Sequence, residues 1–301
     1  MVSRPIQRLI GDLVDYAGLF PPAGLDMETA VAHYARHLHG PDSWILARFI
    51  VPAGRLDAFE QALERSWRAD DGPWRLSVLV GDDPAAGRRA LDTAAVRLDG
   101  LATVEAVESR AADVEAIARQ AEVFPDVELF VELPAGEDPR PAMAALAEHA
   151  AGRPQRLAAK IRTGSVRADE IPSVGEVVHF VRAAAEAGVA FKATAGLHHP
   201  VAGDYALTYD PAPPHGRMHG FLTLFLAAAW AQHGGPNSSE LKELLAEPHA
   251  STLDFSSVGV SWRGHRLSAD EIAHSRTTFA RSFGSCSFAE PVDDLRALHL
   301  I

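Results

Sequence analysis

Ten residues, Phe191-Lys-Ala-Thr-Ala-Gly-Leu-His-His-Pro200, bring an amine, a hydroxyl, a glycine and two imidazoles into one short stretch. The first half alternates as a strand does, with Phe191 and Ala193 on one face and Lys192 and Thr194 on the other. The second half reads as the loop that leaves the strand. A lysine inside an otherwise apolar strand is costly unless it is paired or used. Lys160-Ile-Arg-Thr-Gly164 has the same form, because Lys160 and Arg162 share one face while Leu157, Ala159 and Ile161 turn to the other. Glu132 ends a third such segment on the face of Phe130, and Arg48 lies inside a fourth.

An acid and several cations at the ends of neighbouring strands suit an anionic small molecule. Desolvation and nearby positive charge lower an amine's pKa towards nucleophilic range, so Lys192 is the expected nucleophile or base of a Schiff-base site. Glu132 would move protons, with Lys160, His198 and His199 as the further groups for chemistry. Arg162, Thr163, Gly164, Thr194 and Arg48 would hold a carboxylate or phosphate, helped by Lys160. The same residues equally suit an anion bound without covalent chemistry. A plain Glu132–Lys160 ion pair inside a barrel is the reading without function.

His198 and His199 also raise a metal site, completed by His219 and Asp254 or by His215. Consecutive histidines point in different directions, no HExxH or CxxC spacing is present, and fourteen histidines make chance clustering common. No metal and no cofactor is therefore expected. Ser285-Cys286-Ser287, after Gly284, offers backbone N–H groups to an anion or forms a tight turn before the last helix. Ser285 and Ser287 join the expected binding set on the first reading. Cys286 has no evident partner base, and a small buried thiol is the commoner case. There is no Gly-x-Gly-x-x-Gly, no phosphate loop ending in Gly-Lys-Ser/Thr and no Gly-x-Ser-x-Gly elbow, which removes nucleotide-dependent redox, kinase and serine-hydrolase chemistry.

The elements that must position these groups alternate regularly. Strands are expected near 44–52, 75–80, 102–107, 127–133, 156–162 and 190–194, with helices at 26–39, 56–67, 84–97, 112–121, 141–150 and 173–187. Such βαβ units make a parallel sheet. The N-terminus reads as a helix to Leu13 followed by the aromatic, proline-rich loop 15–24. After the sixth strand come a long Pro/Gly/His-rich connection over 197–217, an apolar helix at 218–232, a short helix at 239–245, two weak strands at 253–256 and 258–262, and helices beyond 268. Six strands plus two suit a (β/α)8 TIM-type barrel as one domain, with 1–43 and 263–301 flanking a strand–helix core over 44–262. An open doubly wound sheet is the alternative. In either architecture ligands bind at the C-terminal ends of the strands.

Net charge is −12 over 301 residues, which argues against nucleic-acid or anionic-membrane partners and favours a small anionic metabolite for any basic pocket. Cys286 is the only cysteine, the first twenty residues carry Asp12 and Asp15 inside their apolar part, and the longest apolar run is half a bilayer span. A cytoplasmic protein is expected. The apolar helix near Phe221 to Trp230 is core, with a homo-oligomer contact as the other option.

Several segments, Asp15-Tyr-Ala-Gly-Leu-Phe-Pro-Pro-Ala23, Lys160-Ile-Arg-Thr-Gly164, Ala193-Thr-Ala-Gly-Leu-His-His-Pro200, His219-Gly-Phe-Leu222 and Gly284-Ser-Cys-Ser-Phe288, resemble the signatures of a bacterial family of uncharacterised proteins. The resemblance runs the length of the chain and implies no reaction. The order Glu, Lys, Lys on successive strands is also similar in layout to barrel-type Schiff-base aldolases, an analogy of arrangement only. The expectation is a lyase, aldolase-like or isomerase enzyme for a small carboxylated or phosphorylated carbonyl compound. A metal-assisted hydrolase or lyase and a non-catalytic anion-binding protein are the alternatives.

Overall fold

The computed structural model describes residues 2–134, 136–151 and 156–301. Eight parallel strands close on themselves as a (β/α)8 barrel. In chain order the barrel strands are β1 (Val14–Tyr16), β2 (Leu46–Pro52), β3 (Trp74–Leu79), β4 (Ala102–Arg110), β5 (Glu128–Glu132), β6 (Leu157–Arg162) and β7 (Phe191–Thr194). A hairpin of β8 (Gly203–Ala206) and β9 (His215–Met218) and an antiparallel sheet of β10 (Asp254–Phe255), β11 (Gly259–Trp262) and β12 (His265–Ser268) follow, before β13 (Ala280–Ser285) returns to the barrel between β7 and β1.

The helices are α1 (Arg4–Ile10), α2 (Met27–Leu38), α3 (Leu56–Ser66), α4 (Pro84–Arg97), α5 (Val114–Val123), α6 (Arg140–Ala150), α7 (Val174–Ala187), α8 (Phe221–Gln232), α9 (Ser238–Leu245), α10 (Ala269–Thr278) and α11 (Ala289–Ala297). Several of their starts are set by a capping side chain. Asp26, Asp83 and Asp113 accept from backbone N–H groups three residues on, and Ser173 and Ser268 form reciprocal capping boxes with Glu176 and Glu271. No helix among the described residues is long and apolar enough to cross a membrane.

The six strongly patterned strands lie where alternation places them, but the last two do not. Residues 254–255 and 259–262 pair with each other and with β12, outside the barrel. That small sheet lies over α8, with Trp262 beside Trp230 and the Trp230 indole N–H donating to the Arg266 carbonyl. This accounts for a helix buried along Phe221–Ala231. The barrel closes instead through β1 and β13, which the sequence presents as the start of a loop and the end of a helix, outside the expected 44–262 core. The expected N-terminal helix is confined to α1, and Met1 lies outside the described residues.

Candidate active site

The inner face of the barrel carries a polar layer near its C-terminal end. Glu132, Lys160 and Lys192 are consecutive neighbours in register across β5, β6 and β7. On β4 the residue in register with Glu132 is Arg110, and Glu108, two residues earlier, reaches between the two lysines, with Asp15 from β1 meeting Lys192 from the far side. The Lys192 ammonium donates to Asp15 Oδ2 and to Glu108 Oε1, both at 2.6 Å. Lys160 Nζ lies 3.0 Å from Glu108 Oε2 and 2.9 Å from Glu132 Oε2. Glu132 Oε1 faces Arg110 at 3.2 Å and Arg162 at 3.4 Å. Ser77 donates to Glu108 and Ser282 to Asp15. Charges thus alternate from the interior outwards as Asp15, Lys192, Glu108, Lys160, Glu132 and then the two guanidiniums.

This alternation reverses the expected behaviour of Lys192. Burial disfavours its ammonium, but Asp15 and Glu108 outweigh that and hold its pKa above the ordinary lysine value. Burial likewise opposes the Asp15 and Glu108 carboxylates, while Lys192, with Arg48 beside Asp15 and Lys160 beside Glu108, keeps both below the usual carboxylate range. Glu132 is lowered in the same way, by Lys160 against burial. Lys192 is fully enclosed, 5.5 Å from the centre of the Phe130 ring. It is a fixed charge under the site, with no face for a substrate.

Lys160 is different, because at 3% exposure it still lines a cavity of about 320 Å³ at the C-terminal mouth. Glu108, Glu132, Arg110, Arg162 and Thr194 share that cavity, as do His198, His199, Tyr209, Cys286 and Glu290. Phe20, Pro21 and Pro22, from the loop after β1, and Leu207 and Met218, from the β8–β9 hairpin, supply the apolar wall. The expected pocket is therefore mixed in charge, not basic: two carboxylates unseen in the sequence offset the lysines.

His198 and His199 leave the end of β7 in different directions. His199 Nδ1 meets Asp294 at 2.7 Å and its ring stacks on Tyr205 at 3.6 Å between centroids. His198 Nδ1 meets Glu290 Oε2 at 2.7 Å, and its Nε2 lies 3.8 Å from Cys286 Sγ. Burial works against the charged imidazole, yet Cys286 and Glu290 outweigh it and push the pKa up to about 9. The Tyr209 hydroxyl donates to the same Glu290 oxygen at 2.8 Å and lies 3.7 Å from Cys286 Sγ.

The remaining expected residues have other places. Arg48 points inward but at the opposite end of the barrel, where its guanidinium meets Glu105 at 3.0 Å and Glu128 at 3.3 Å, away from the cavity. Thr163 is buried and donates to the carbonyls of Thr194 and Ala195, tying two loops together. Gly164 and Gly196 touch backbone to backbone, since a Cβ on Gly164 would sit 2.5 Å from the Gly196 Cα. Ser285 accepts from the Ser287 N–H, and Ser287 accepts from the Glu290 N–H, so both serve the turn into α11. His219 meets the Pro172 carbonyl, and Asp254 lies in the β10–β12 sheet. His215 lies near Asp204 in the β8–β9 hairpin, so the residues of the metal reading are not gathered, and among the described residues no group of three or more His, Cys, Asp or Glu is arranged to hold a metal ion.

No family model matches the chain, and no curated protein matches it either. Any function must accordingly be read from the cavity itself. One signal for it was present in the sequence: against twenty-five arginines there are three lysines, at 160, 192 and 242. A chain that meets nearly every need for a cation with arginine has placed two of its three ammoniums inside the barrel. Lys carries a compact, strongly hydrated point charge that shifts its pKa readily when buried, and the always-charged planar guanidinium does not.

Proposed function

We propose that this chain is an enzyme of the lyase or isomerase type that moves a proton on a small carboxylated or phosphorylated carbonyl compound. The observation that carries the reading is Lys160, an ammonium fixed between Glu108 and Glu132 at the cavity floor beneath the guanidiniums of Arg110 and Arg162. The outward faces of those two arginines suit a carboxylate or phosphate. A carbonyl oxygen of the same compound then faces Lys160, whose positive charge stabilises the enolate as the neighbouring C–H proton leaves. Glu132, kept unprotonated by Lys160, takes that proton and returns it to the product, while Lys160 keeps its charge. The apolar wall of Phe20, Pro21, Pro22 and Leu207 keeps water from the reacting end.

A Schiff base on Lys192 has no support in this arrangement, so the aldolase-like covalent route would have to use Lys160. Incubation with a panel of 2-oxo acids, carboxylated aldehydes and sugar phosphates in D2O, followed by NMR, tests the proposal. The expected result is deuterium at the carbon next to the carbonyl of at least one compound, slowed about a hundredfold or more by Lys160→Met. Compounds that bind without exchange or turnover would replace the enzyme by an anion-binding protein. Borohydride capture of a keto acid on Lys160 would restore the covalent route.

A further inference from the structure

Proton transfer through Lys160 and Glu132 leaves the other wall of the cavity without a role. There, three side chains from different elements converge: Cys286, the first residue beyond β13; His198, from the loop after β7; and Glu290, from the first turn of α11. We propose that they form a thiol nucleophile with its base and orienting carboxylate, and that the site takes a small carboxylated aldehyde as a covalent thiohemiacetal. The nucleophile stands on its own geometry. The carboxylate half of the substrate rests on the anion reading given above.

The geometry is that of an activated nucleophile. Glu290 holds Nδ1 of His198 at 2.7 Å, which turns Nε2 towards the sulfur at 3.8 Å. Both Cys286 and His198 are 6% exposed, and both line the cavity. An inert buried thiol packs among apolar groups, whereas this one has an imidazole and the Tyr209 hydroxyl, 3.7 Å away, as polar neighbours. The place also matters, because chemistry in such barrels is done by residues just past the C-terminal ends of the strands.

The charged and titratable groups around the pair come from every neighbouring element. Glu290 and Asp294 belong to α11, Tyr209 to the β8–β9 turn, His199 to the loop after β7 and Tyr16 to β1. The Tyr16 phenol is pushed up to about 12, by burial first and then by Cys286, so it stays neutral and offers no competing charge. Burial opposes the Glu290 carboxylate, but His198 holds it below the usual range and hence ionised. The His198 Nε2 is the ring atom placed to take and return the thiol proton.

The step needs no further reagent. The sulfur lone pair forms the S–C bond to the aldehyde carbon, the π pair of C=O moves to oxygen, and that oxygen takes the proton from the His198 imidazolium. Reversal of the same movements frees the aldehyde. No oxidant is consumed and no group leaves.

Cys286 is the single cysteine, so alkylation followed by mass spectrometry reports on one atom. Near pH 6.5, iodoacetamide should modify the native protein about tenfold or more faster than the urea-unfolded chain, whose thiol is ordinary. His198→Gln should remove that advantage, and Glu290→Gln should reduce it. A native rate below the unfolded one throughout about pH 6 to 9 overturns the nucleophile on the unmodified protein, whatever the variants do. An undiminished rate in folded His198→Gln overturns it as well. Glyoxylate should slow alkylation at least about fivefold while acetate does not, since a thiolate is protected only by a bond to carbon. Equal protection by the two removes the aldehyde and leaves the nucleophile. The anion reading is tested separately: iodoacetate should outpace iodoacetamide, and Arg162→Gln should abolish only that preference.

Discussion

The two ends of this barrel are made from the same materials and do different things. At the N-terminal end Arg48, Arg75 and Arg281 meet Glu105 and Glu128 around a cavity of about 520 Å³, larger than the mouth at about 320 Å³. Size therefore does not mark the site. At the base the arginines are joined to glutamates and the lining is polar. At the mouth the polar layer stops at half-exposed guanidiniums, an apolar wall stands opposite, and a thiol, an imidazole and an ammonium all face the same space. Charge facing a cavity is common to both ends; what sets the mouth apart is the apolar wall and the thiol and imidazole beside the charges.

That contrast can be broken most severely at Lys192. Its replacement by Met takes the closest cation from buried Asp15 and leaves Glu108 with Lys160 alone, and the expected cost is about 3–5 kcal/mol in urea unfolding at neutral pH. The pH dependence gives the sign. In the native protein both carboxylates have depressed pKa values, so their contribution is present above the unfolded values of 3.8 and 4.5 and is lost as pH falls through the lower folded ones. Without Lys192, burial raises them instead, and the variant should gain stability on acidification from neutral pH to about 5. A variant as stable as the native protein at neutral pH would mean that the polar layer is not held by this lysine.

At the base, Arg48→Met should cost about 3 kcal/mol, by removing a buried cation shared by Asp15, Glu105 and Glu128, and should leave iodoacetamide reactivity at Cys286 unchanged. A change at the mouth would show that the two ends are coupled. His198→Gln is expected to cost about 2 kcal/mol near pH 6 and little near pH 10. The native pKa is raised from 6.5 to about 9, so the contribution is complete below 6.5 and disappears as pH rises through about 9. Thermal melts across that range check it. Arg110→Gln, at an exposed side chain, should change melting by less than about 0.5 kcal/mol while weakening carboxylate binding a few-fold. A large stability loss there would move Arg110 from rim to framework.

The fold was legible where strands are long and alternate, and the site was legible where those strands carry a single charge. Lys160, Lys192, Glu132 and Arg162 were placed on the correct face by period alone. Two failures share a physical cause at the seam of the barrel. Val14–Tyr16 spans only three residues before a glycine- and proline-rich loop, and Ala280–Ser285 contains Arg281, two serines and Gly284, so neither has a strand's apolar signature. With them Asp15 and Ser282 went unrecognised as interior groups. Glu108 was lost for another reason. The ladder between β3 and β4 slips by one residue after Leu76, so Glu105 and Glu108, three apart, both reach interior partners, which strict alternation forbids. Arg48 had the right face and the wrong end, a distinction that needs strand register. The partner of Cys286 lies 88 residues away, on a loop whose path no local pattern encodes.

The close contact of Gly164 with Gly196 has a consequence for how this site can vary. Gly196 has φ +70°, the residue before it, Ala195, has φ +60°, and neither glycine has room for a Cβ. The segments that carry Arg162 and His198 are thereby riveted into one plate, and neither can be retuned without displacing the other. New specificity in relatives of this chain would have to be written elsewhere, in the Phe20 to Pro22 loop and the β8–β9 turn, which border the cavity and are not part of that rivet.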